Sequence, residues 1–174
     1  MSLPRPRMKG YLGYWLTADR APETAKEARL LARAAMAAWG LEDDAETAAL
    51  VMSEFVANAV RHAHGTRIVL TVSLPVFDRV YLAATDRSPD RHPQARTPDE
   101  DARHGRGLLL VDSLADRWGY DLLRSHRSGE LSAKRVWAEL KLVRRSALGP
   151  AAGTCRRYGL GLAGWHRYRV PDQR

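Results

Sequence analysis

The chain has 174 residues, 45% hydrophobic and 28% charged, the composition of one water-exposed globular domain. No apolar run approaches a membrane span, "MSLPRPRMKG" has no apolar signal core, and the single cysteine, Cys155, excludes an internal disulfide or a cysteine metal cluster, so a cytoplasmic protein is expected. The net charge is +8, yet Arg144 to Arg174 holds seven arginines against Asp172 alone, so six of those charges sit in the tail and the first 143 residues are nearly neutral. The charge therefore points to a basic, poorly packed tail over 144–174 behind a domain at 11–143. Nucleic-acid contact is expected at most through that tail, and no membrane contact is expected.

In chain order, the extended "GYLGYWLTA" precedes a helix from about Ala21 to Ala38, with Pro22 in its first turn and Gly40 as its stop. A second helix runs from Asp43 or Asp44 to His62, ahead of Gly65. Two strand-like runs, "RIVLTVSL" and "RVYLAATD", are joined through "PVFD". Arg87 to His104 is polar and proline-containing, and eighteen such residues inside a compact domain read as a lid or binding loop. Then "HGRGLLLVDSLADRWG" places two glycines before a run with helical spacing at Leu108, Val111 and Ala115. The strands "RWGYDLLR" and "RVWAELKLV" follow, around a turn at Ser128 and Gly129. Helices followed by strands, with one helix returned between strands, predict a two-layer α/β sandwich with a mixed sheet.

The second helix carries the decisive pattern. Leu50, Val51, Phe55, Val56, Ala59 and Val60 cover most of its circumference, whereas Glu54, Asn58 and His62 recur every fourth residue and form one polar row. A carboxylate and an amide among apolar groups cost free energy unless something polar satisfies them. An acid there suits a general base, and an amide oxygen is a hard ligand for Mg²⁺. His62 by itself reads as a residue at the frayed helix end. Asp86 closes the strand "VYLAATD" at the mouth of the loop, where by itself it reads equally as a turn-forming aspartate. A glycine turn opening a helix offers free N–H groups and a positive dipole end to an anion, although a lone G-x-G is more often just a tight loop.

Taken in order, "SEFVANAVRHA", "ATDRSP", "HGRGLLLVDSLADRWG" and "RVWAEL" resemble the GHKL ATPase superfamily, most closely its anti-sigma factor serine kinases. The resemblance covers about Trp15 to Leu140. It implies a mainly antiparallel sheet covered by helices on one face, with ATP and Mg²⁺ held between the helix layer and the loop. Glu54 corresponds to the family's acid and Asn58 to its Mg²⁺-ligating asparagine, with His62 following in the same motif. Asp86 corresponds to the aspartate that accepts from the adenine amino group, a carboxylate that a keto base would leave unpaired. Gly105 and Gly107 correspond to glycines that let the main chain approach the phosphates, with Arg106 adding charge and Leu108 a further backbone donor. In two places the chain departs from the family. "DRSPD" lacks the glycines that often follow the aspartate, so the loop starts differently, and Arg135 replaces a threonine whose hydroxyl would reach the base edge. The implied partners are a sigma factor or an antagonist protein carrying the acceptor serine, with a homodimer also allowed. The rival readings are a nucleotide-dependent binding module without catalysis, a histidine kinase catalytic domain, and a DNA-binding regulator acting through the tail.

Overall fold

The computed structural model describes residues 5–6, 12–93 and 107–142. In chain order the elements are β1 (Arg5–Pro6), β2 (Leu12–Asp19), α1 (Thr24–Ala38), α2 (Ala45–His62), β3 (Arg67–Val76), β4 (Arg79–Asp86), α3 (Gly107–Leu114), β5 (Arg117–Arg124) and β6 (Leu131–Lys141). A single turn of 3₁₀-helix at Glu42–Asp44 leads into α2. The predicted elements are present, and the two-residue β1 is an addition that no periodicity could announce.

The six strands form one sheet in the order β1-β2-β3-β4-β6-β5. Every pairing between the described strands is antiparallel. The parallel component that a mixed sheet allows is absent from these pairings for a topological reason. After β4 the chain passes through α3 and lays β5 down as the outer strand, and β6 then returns between β4 and β5, antiparallel to both.

One face of this sheet meets the helices. Ile68, Leu70 and Val72 of β3, Val80, Leu82 and Ala84 of β4, and Val136, Ala138 and Leu140 of β6 alternate along their strands into the core. Against them lie Leu31, Ala32, Ala35 and Met36 of α1 and Val51, Met52, Phe55 and Val56 of α2. The α1 end follows from sequence chemistry. Gly40 takes φ +68°, its N–H donates to Ala37 O at 3.1 Å, and Leu41 N–H donates to Met36 O at 2.9 Å, so the last carbonyls of the helix are satisfied. At the end of α2, Arg20 donates from Nη1 to Val60 O at 2.7 Å and from Nε to Gly65 O at 2.6 Å, a cation placed at the negative end of the helix.

Leu50 differs from expectation. Counted among the apolar residues of α2, it is 39% exposed. Residues 144–174, the proposed basic tail, lie outside the described residues.

Candidate functional site

The polar row of α2 is real. Glu54 and Asn58 are half-buried, while His62 is exposed in the last turn and already has an interaction partner in the protein. Among the described residues, no hydrogen bond or ion pair is made by the Glu54 or Asn58 side chain. A carboxylate and an amide held on a helix, partly desolvated and with no partner among the described residues, form a donor set that fits a hydrated cation and its anion.

The glycine at the start of α3 closes on this row. A Cβ placed on Gly107 would overlap Glu54 Oε2, so the bare backbone lets the first turn of α3 stand against the carboxylate in its present position. Leu108 and Val111 bury their side chains, which anchors the helix, and the first-turn N–H groups, as in any α-helix, have no partners inside the helix. The two halves of the site assigned to Glu54 and Gly107 are therefore in contact, and Leu108 contributes through its backbone while its side chain belongs to the core. Gly105 and Arg106 lie outside the described residues, as does most of the loop before them.

Asp86 is brought to the end of α2 by a short relay. Ser88 is fully buried; its N–H donates to Asp86 Oδ1 at 2.9 Å, and its Oγ accepts from the His64 N–H at 2.5 Å. Asp86 is thus a buried residue, 3% exposed, rather than a turn residue alone.

Its second oxygen faces a group that the sequence reading missed. Lys134 is 1% exposed, and its Nζ stands 3.4 Å from Asp86 Oδ2 while donating to Arg91 O at 2.5 Å. Burial pushes the Asp86 carboxyl above the usual carboxylate range, opposed first by the Lys134 ammonium and then by the Ser88 N–H. A signal was available in the sequence, because Lys134 has the same strand parity as Val136, Ala138 and Leu140, where a charge is out of place. The same parity corrects the expectation about Arg135. Paired with Thr85, it lies on the other face of the sheet, where its Nε reaches Thr85 Oγ1 at 3.4 Å. The residue that the register sets directly opposite Asp86 is Lys134.

Two clefts, of about 590 Å³ near β2 and α1 and about 280 Å³ between α1 and α2, include neither Glu54, Asn58, Asp86 nor Gly107 in their walls.

An antiparallel sheet with two long helices on one face, and a short third helix opening on a glycine against a polar helix row, defines an ATPase-type α/β sandwich. Residues 18–132, well over half of the chain, match the histidine kinase-like ATPase domain. The chain belongs to that family. Among solved structures it is similar to the crystal structure of the RsbU and RsbW domains of Rv1364c from Mycobacterium tuberculosis, with a TM-score of 0.53 and 18% identity, covering 80% of this chain and 40% of that one. At that identity the likeness is one of fold. No curated protein matches the chain. Among the described residues, no helix is long and apolar enough to cross a membrane.

Proposed function

We propose that this ATPase domain binds ATP with Mg²⁺ and transfers the terminal phosphoryl group to a serine of a partner protein, as an anti-sigma factor type kinase. The observation that carries this reading is the contact between Glu54 and the backbone of Gly107. It sets an acid and the first-turn N–H groups of a helix side by side, as positioning catalysis requires. The match to the histidine kinase-like ATPase domain supports the nucleotide-binding part of this reading.

In this reading the Asn58 amide oxygen holds the cation, and the N–H groups at Gly107 and Leu108 hold the phosphates, with Gly105 and Arg106 extending the cradle. Bound Mg²⁺ supplies charge neutralisation on the phosphates. Glu54 accepts the proton of the serine hydroxyl as its oxygen bonds to phosphorus, and ADP leaves with the bridging oxygen. Asp86 orients the base through its amino group. The partner is a sigma factor or a small antagonist protein in the cytoplasm.

The second reading is a nucleotide-responsive binding module without transfer. Radiolabelled phosphate transfer to a co-purified partner separates the two. Glu54→Gln keeps the side chain's size and removes the base. Transfer should then fall by about 10² to 10⁴ while Mg²⁺-ATP affinity, measured by calorimetry, is kept. Asn58→Ala should lose the Mg²⁺-dependent part of ATP affinity and transfer together. If Asn58→Ala binds Mg²⁺-ATP like the parent, the row is only a polar stripe.

A further inference from the structure

The ion pair of Asp86 and Lys134 has no part in moving a phosphoryl group, yet it is the most deeply buried pair of charges among the described residues. We infer that Lys134 is an internal competitor for the base end of the nucleotide site: its ammonium faces the Asp86 oxygen that an incoming amino group needs, and the base binds by displacing it. The inference rests on the nucleotide-binding reading above and adds to it the residue that sets affinity and base preference.

Asp86 Oδ1 is committed to the Ser88 N–H at 2.9 Å, which leaves Oδ2 as the acceptor for a ligand. Lys134 Nζ stands 3.4 Å from that Oδ2, beyond the usual ~2.7–2.9 Å of a charge-assisted hydrogen bond. Its stronger bond, 2.5 Å, goes to Arg91 O. The ammonium therefore has a second acceptor that keeps it held when it gives up the carboxylate. Because β4 and β6 pair Asp86 directly with Lys134, the backbone places the stem of the lysine there in every state, and only the end of the side chain need turn. A buried carboxylate deprived of its cation then welcomes a neutral N–H donor from a base, whereas a keto oxygen at the same point meets a bare anion.

Lys134→Met keeps the length and volume of the side chain and removes the competitor. Mg²⁺-ATP should bind the variant at least about tenfold more tightly than it binds the parent, a gain the size of a hydrogen bond to a charged group. Mg²⁺-GTP affinity should not rise with it. Calorimetry gives the dissociation constants, and thermal melting with and without nucleotide gives an independent readout on the same samples. Lys134→Gln, which offers Asp86 a neutral donor, should fall between the two and serves if the methionine variant does not fold. If the parent binds ATP and both variants bind it equally or more weakly, Lys134 is a bystander or a base contact and the inference is overturned. If the folded parent and both folded variants all fail to bind ATP, the nucleotide-binding reading itself is wrong.

Discussion

Gly107 and Glu54 meet so closely that the smallest side chain is enough to separate them. The atom in the way is the far end of a flexible glutamate, so Gly107→Ala should turn the carboxylate aside instead of unfolding the protein. We expect stability in urea within about 1 kcal/mol of the parent and phosphate transfer reduced about 10²-fold, the cost of a displaced catalytic group. Transfer at the parental rate would show that the contact has no catalytic meaning. At Asp86 the expectation concerns pH. Its carboxyl is raised by burial and held down mainly by Lys134, so Lys134→Met should raise it further. Ionising a buried carboxyl with a raised native pKa opposes folding. Its stabilising contribution is complete below the unfolded value and is lost as pH rises through the native one. The variant should therefore lose about 3 kcal/mol at neutral pH and recover as the pH falls through that raised value, which denaturation curves at several pH values would follow. A deficit that stays constant across the acid range would mean that packing, and not charge, is what Lys134 provides.

At the scale of elements, α2 is both the central support of the core and the carrier of the site. Phe55 is 1% exposed and lies between Glu54 and Val56, on the side turned to the sheet. Phe55→Ala should cost about 3–5 kcal/mol of unfolding free energy, seen as a lower urea midpoint with little change in its slope. A cost below about 1 kcal/mol would contradict the packing described. The helices and strands were legible because their apolar periods are regular, and the polar row on α2 was legible because Glu54, Asn58 and His62 interrupt that period at fixed spacing. The sheet order was less so, since local periodicity does not say that β6 inserts between β4 and β5. The consequence falls on one residue. Parity alone marks Lys134 as inward-facing, but only the β4–β6 register places it opposite Asp86.

For the whole molecule, ATP with Mg²⁺ should raise the melting temperature, and GTP should do little. A ligand at about a hundred times its dissociation constant stabilises by nearly 3 kcal/mol. Equal shifts with both nucleotides would remove Asp86 from base recognition. Deletion of residues 144–174 should leave the ATP shift unchanged, because every motif lies upstream and the family match ends at residue 132. A truncated chain that melts earlier or ignores ATP would move the domain boundary. The amino-acid sequence by itself determined the class of the fold, the helix that bears the acid and the amide, and the need for glycine before α3, because each rests on local period or backbone freedom. What only the tertiary structure decided is which groups meet. Glu54 touches Gly107, Ser88 ties Asp86 to the end of α2, and Lys134 rather than Arg135 faces Asp86. These contacts join residues far apart in the chain, and they exist only once strand register and helix packing have set the distances between them.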